Sequence, residues 1–344
     1  MHPVAPRGEA DDARRYRRLV SATIVATFGL IVIGGIVRVS DSGLGCGPAG
    51  SGTHGWPLCE GGVIPPATAE SLIEFSHRVA AGIVALMVLG LIWIAVRRLR
   101  ERTWIVRGSI AAGVLVVVQA LLGGLTVERG LEDELVAAHL GLAMLLIGLL
   151  IVLRRRTDPE PVAAGPASEP ARPGAGRLRT LAVVASALLL ATIVAGGYVA
   201  GTERMGTPEA PIAGAHMACG GEFPTCLGSF MPFGTSHLVD IHLMHRLFMY
   251  LASIAVIAMV AVALVQGGRS RAFPLAGALL VAQIALGAAN VWAGVDAGWI
   301  LAHLIVGTLL WSTAVYATAT LVPAPEPTRS PAPRRRPSTE TAAA

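Results

Sequence analysis

Charge is scarce in this sequence. Only 14% of its 344 residues are Asp, Glu, Lys or Arg, against 53% hydrophobic residues, whereas soluble domains carry about a quarter charged residues. With a mean hydropathy of +0.64, that scarcity excludes a soluble globular domain and makes the chain a polytopic membrane protein. Aromatic residues are fewer still, at 5%. The basic clusters have no aromatic interleaving and no nucleic-acid motif, so the net charge of +5 reads as a topology signal and nucleic acid is not an expected partner. No short apolar run with a small-residue cleavage site opens the chain, so a cleavable signal peptide is not expected. Cysteine is limited to four residues. Neither Cys46 with Cys59 nor Cys219 with Cys226 has the Cys-x-x-Cys spacing of a zinc or thioredoxin site.

What is abundant is the long apolar run. Eight of them fall near residues 19–39, 71–96, 104–127, 134–153, 179–200, 239–266, 272–294 and 299–321, each close to the roughly 20 residues that cross a bilayer core. Arginines follow alternate runs: Arg97, Arg98, Arg100 and Arg102; Arg154 to Arg156; Arg269 and Arg271; Arg334 to Arg336. With Arg14, Arg15, Arg17 and Arg18 before the first run, they fall on one side, which puts both termini in the cytoplasm by the positive-inside rule. The expected plan is a cytoplasmic tail (1–18), a four-helix bundle (19–153), a cytoplasmic linker (154–178) rich in Pro, Ala and Gly, a second four-helix bundle (179–321), and a disordered tail (322–344). The outer loops at 40–70 and 201–238 each hold one cysteine pair. An oxidising compartment favours two intraloop disulfides, Cys46–Cys59 and Cys219–Cys226. Unlinked thiols and a pair that cycles during function are the alternatives.

The halves repeat one another at an offset of about 162 to 168 residues, the first thing a search for internal repeats tests. Gly34-Gly35 answers to Gly196-Gly197, the run from Gln119 to the run from Gln283, His77-Arg78 to His245-Arg246, and His139 to His303. One position breaks the match, because Glu74 corresponds to His242. Glu74, His77 and Arg78 share one helical face, and ionisable groups inside a membrane segment point to function. His77, His139, His245 and His303 fall within the first turns of the even-numbered helices, at one depth. Facing His pairs in a four-helix bundle can supply two axial ligands to a haem iron, so two pockets are expected. Zinc is disfavoured, since structural zinc wants four close ligands. The alternative reading of each histidine is a hydrogen-bonded packing residue. Arg78 and Arg246 are placed either to pair with haem propionates or to snorkel to the outer headgroups. His242 is an extra ligand or a partner of one. His54, His216 and His237 lie in loops, where solvation is expected. Gln119 and Gln283 are expected to bond across helices, and the glycines near them to let helices approach closely.

Taken together, the Glu-x-x-His-Arg motif at Glu74–Arg78, His139, the pair His245 and His303, and the cysteines within Ser42-Gly-Leu-Gly-Cys46 and Trp56-Pro-Leu-Cys59 resemble the haem A synthase family over about residues 19–321. The resemblance implies eight transmembrane helices as two pseudo-symmetric four-helix bundles in the plasma membrane. It implies that His245 and His303 hold a resident haem b while His77 and His139 hold haem O. The C8 methyl group of haem O would be oxidised to a formyl group, giving haem A for terminal oxidases, with Glu74 in a catalytic role. Implied partners are a membrane haem O synthase, an electron-transfer protein and, among assemblies, a homo-oligomer. The twelve residues between Cys46 and Cys59 depart from the family pattern and favour a structural staple. Two other readings compete. A di-haem b-type electron-transfer protein requires equivalent halves, which the Glu74/His242 difference opposes. A repeat transporter requires polar breaks near the midplane, whereas here the polar residues gather at the outer edge.

Overall fold

A computed structural model describes residues 7–158, 175–203, 214–266, 270–294 and 296–322. Eight long helices carry the described chain: α1 (Arg7–Val39), α2 (Ala69–Arg98), α3 (Thr103–Glu128), α4 (Asp133–Arg156), α5 (Ala175–Gly201), α6 (His237–Val265), α7 (Ala272–Trp292) and α8 (Ala297–Thr320). All eight are long and apolar enough to cross a membrane, and no strand occurs among the described residues. The architecture is therefore all-α and multi-pass. Helix starts follow capping chemistry: Thr68, Ser236 and Asp296 each accept a hydrogen bond from a backbone N–H in the first turn of α2, α6 and α8, satisfying donors that a helix start leaves unpaired. The linker residues 159–174, Arg269 and the tail 323–344 lie outside the described residues.

The first helix differs from expectation. Residues 7–18 are not a tail but the first turns of α1. The reason is an apolar stripe among the arginines: Ala13, Tyr16 and Val20 are buried with Val84, Leu91, Ile105 and Leu150. Tyr16 and Ser109 share a buried 2.8 Å hydrogen bond between their hydroxyls.

Neighbour relations repeat between the halves. α1 packs on α2 and α4 as α5 packs on α6 and α8, and α3 and α7 pack on α4 and α8 respectively. α4 with α5, α4 with α8, and α1 with α8 join the halves. There, a core of Ile31, Met144, Ile147, Leu310 and Trp311 is buried. Two short 3-10 turns, Ser42–Leu44 and Ala215–Met217, lead into the cysteine loops. Both loops carry the expected disulfide, Cys46–Cys59 and Cys219–Cys226.

Candidate functional site

Between the helices, at their loop end, lies a cavity of about 730 Å³. Where two pockets were expected, one continuous space is lined by His77, His139, His245 and His303 together, with Glu74, Arg78, His242 and Arg246 also on its wall. The glycines that accompany the histidines explain why the rings fit. A Cβ at Gly34 would stand 3.1 Å from Cε1 of His77, and at Gly123 the same distance from Cε1 of His139. At Gly196 and Gly287 it would come within 2.9 Å and 3.0 Å of Cε1 of His245 and His303. Each histidine lies against a helix surface that glycine leaves flat.

The His77 and His139 rings stand 6.5 Å apart between centroids, tilted by 58°. They are too far apart to stack, and Nδ1 of His139 is buried without a hydrogen-bond partner. Metal–imidazole bonds are about 2 Å long, so one iron between the rings matches this separation. The residues of the first half thus fit a bis-His haem. In the second half, Nδ1 of His245 lies 2.9 Å from the Thr192 carbonyl. The carbonyl can only accept, so Nδ1 carries the proton and Nε2 is left as ligand, the arrangement usual for metal-binding histidine. His303 differs: its Nε2 lies 3.0 Å from the Gln283 amide nitrogen, whereas the equivalent Gln119 donates to the His139 carbonyl at 2.9 Å. Ligation by Nε2 of His303 requires Gln283 to release it. Both glutamines bond across helices, as the sequence suggests.

Glu74 is buried, and each of its carboxylate oxygens has a partner. One carboxylate oxygen pairs with Arg78, and the other accepts the Cys46 backbone N–H at 2.7 Å. Arg78 donates further to the carbonyls of Gly55 at 2.7 Å and Leu58 at 2.8 Å. Arg246 repeats this with Glu222 at 2.7 Å and Thr225 at 2.8 Å. The geometry thus gives both arginines the work of fastening a disulfide loop to the helix that bears the histidine. In place of Glu74, His242 is buried with Nδ1 2.7 Å from the Ala215 carbonyl.

His216 is not a solvated loop residue. It lines the cavity and pairs through Nδ1 with Glu203, which is itself buried. The partners are thirteen residues apart in the sequence, and no periodicity brings them together. His237 opens α6 and is exposed, and His54 lies exposed in the first loop.

Residues 17–315 match the COX15-CtaA family, described as Cytochrome oxidase assembly protein. Curated relatives include a protein named Heme A synthase from Halalkalibacterium halodurans, 27% identical over 309 residues, covering 88% of this chain and 96% of the relative. Another with that name, from Alkalihalophilus pseudofirmus, is 28% identical over 246 residues, 67% of this chain and 71% of the relative. A third, from Shouchella clausii, is 28% identical over 231 residues, 67% and 70% of the two chains.

Proposed function

The chain belongs to the haem A synthase family of cytochrome oxidase assembly proteins, and from that premise we propose that it oxidises the C8 methyl group of haem O to the formyl group of haem A. The observation that carries this reading is an asymmetry inside one cavity. The His77–His139 pair has a buried carboxylate, Glu74, on the helix turn before His77, and His242 holds that place beside His245. A relay of electrons alone has no use for this difference, whereas an oxidation that removes protons from a methyl group does.

In this reading His77 and His139 hold the substrate haem O, and His245 and His303 hold a resident haem b. The haems supply the redox and oxygen chemistry when bound. The chain's own residues do the rest. Gly34 and Gly123 let the rings sit close to the helices, and the loop clamp fixes Glu74. A carboxylate has about four lone-pair sites, so with two engaged Glu74 can still accept a proton from the reacting group. Arg78 and Arg246 reach propionates only through donors that the loop carbonyls do not hold. The protein lies in the plasma membrane with both termini cytoplasmic, takes haem O from a membrane haem O synthase, and exchanges electrons with a separate electron-transfer protein.

Extraction and chromatography of the non-covalent haems test the proposal. Unaltered protein is expected to yield haem b together with haem O or haem A. Glu74→Gln is expected to keep total haem while forming no haem A. Haem A formed at the normal level by Glu74→Gln would remove Glu74 from the reaction. Haem b alone, in equal amount with and without the substitution, would make the protein an electron-transfer cytochrome.

A further inference from the structure

The halves wall the cavity differently on one flank. One and two turns beyond His77, α2 carries Ala81, Gly82 and Ala85; at the same spacing beyond His245, α6 carries Met249, Tyr250 and Ser253. On α3, Ala120 stands one turn before Gly123, and on α7 Ile284 holds that place before Gly287. Ala81, Gly82, Ala85 and Ala120 all line the cavity, yet Gly82 and Ala120 are also exposed and adjoin the exposed apolar faces of Val79, Ile83 and Leu86 on α2 and of Val117 and Leu121 on α3. A Cβ built at Gly82 meets nothing within 4 Å. Residues that face a cavity and the surface at once mark an opening through the wall, here between α2 and α3.

In the second half that opening is filled. Met249 and Ile284 line the cavity, and Ile284 packs onto the central core. Tyr250 lies 5.8 Å from Phe230, ring to ring, and buries its hydroxyl. The first half is not simply looser throughout, since Leu30 and Ala143 on its inner side answer to Thr192 and Gly307. The extra room is directed outward. Its inner end is the space between the His77 and His139 rings, whose centroids stand 6.5 Å apart. Its walls are apolar and lie about one turn, or roughly 5 Å, further from the polar loop end than the histidines.

We propose that the gap between α2 and α3, walled by Ala81, Gly82, Ala85 and Ala120, is the slot through which the isoprenoid tail of the substrate haem reaches the lipid, and that Met249, Tyr250 and Ile284 close the equivalent slot so that the second half takes only a tail-free haem. This rests on the reading that the first half binds haem O, and it deepens that reading by naming residues that discriminate the two haems. An apolar tail that leaves sideways stays in hydrocarbon while the charged edge of the macrocycle faces the loop end.

The test uses full-length protein made under haem limitation and titrated by absorbance with haem O or haem b. The double variant Gly82→Leu/Ala120→Ile is expected to weaken haem O uptake about tenfold or more, equivalent to about 1.4 kcal/mol, while haem b uptake and heat stability stay as in the unaltered chain. The reciprocal variant Met249→Ala/Ile284→Ala is expected to admit haem O to the second half. Unchanged haem O uptake by the first double variant, or equal loss of both haems at normal heat stability, overturns the slot. If that variant fails to fold, the reciprocal one decides, and no gain of haem O there overturns the slot. Unaltered protein that takes up haem b but no haem O would overturn the substrate reading itself, an outcome distinct from uptake that the slot variants leave unchanged.

Discussion

Glu74 and Arg78 form an ion pair whose side chains are 5% and 15% exposed, so neither charge has water to fall back on. Removing one member of a buried pair typically costs about 3–5 kcal/mol, because the other is left uncompensated. Arg78→Ala is therefore expected to lower the heat-inactivation midpoint of the purified protein strongly. Arg78→Lys should recover only part of the loss, since an ammonium cannot reproduce the guanidinium fork on Glu74, Gly55 and Leu58. Equal stability of Arg78→Ala and the unaltered chain would mean that the loop is held by its disulfide alone. The glycines at the rings allow a sharper test. Gly123→Ala puts a methyl group 3.1 Å from His139 and Gly287→Ala puts one 3.0 Å from His303, overpacking of the kind that costs about 1–3 kcal/mol. Each should shift the haem spectrum and occupancy of its own half only, and a substitution that disturbs both haems alike would sever this link between glycine and ring.

At the scale of the element, most of the architecture was legible because apolar runs ended in arginines or capping residues, signals that survive without tertiary context. The start of α1 was not. Its arginines at positions 14, 15, 17 and 18 outweigh the Ala13, Tyr16, Val20 stripe in any composition window, although that stripe has helical spacing and packs into the core. Tyr16→Phe should cost about 1 kcal/mol through the lost hydrogen bond to Ser109, read as a small fall in heat stability. No change would mean that the extension is held by burial alone. The site divides in the same way. The histidines and Glu74 stood out because ionisable residues in apolar runs are conspicuous. The Glu203–His216 pair and the grip of Arg78 on loop carbonyls involve loop positions whose contacts spacing does not reveal, and which atom Gln283 meets depends on the packing of α7 on α8. The opening between α2 and α3 is different, since the small residues were visible but their meaning needed the cavity.

Across the whole molecule, the two consecutive glycines in each half divide their labour. Gly34 and Gly196 face their own histidines, whereas Gly35 and Gly197 face the other half: a Cβ at Gly35 would meet Leu304 of α8 at 2.5 Å, and one at Gly197 would meet Leu140 of α4 at 3.2 Å. Arg38 of α1 adds a crossing contact, donating to the Ala200 carbonyl at the end of α5 at 2.6 Å. The contact between halves is thus set by backbone proximity, and it frames the cavity that the four histidines line. Gly201 shows where this leaves no slack. A Cβ there would lie 2.7 Å from the Cα of Asp133, a backbone atom that cannot rotate away, whereas the clash at Gly35 is with the end of a leucine side chain. Gly201→Ala is therefore expected to cost more than Gly35→Ala, within the roughly 1–3 kcal/mol of an overpacked contact. Because α4 carries His139 and its neighbour α5 carries Gly196 against His245, haem should be lost from both halves together as α4 and α5 part. Heat stability and haem content of the two variants measure this, and the reverse order, or loss from one half alone, would show that the halves are held by something other than the α4–α5 contact.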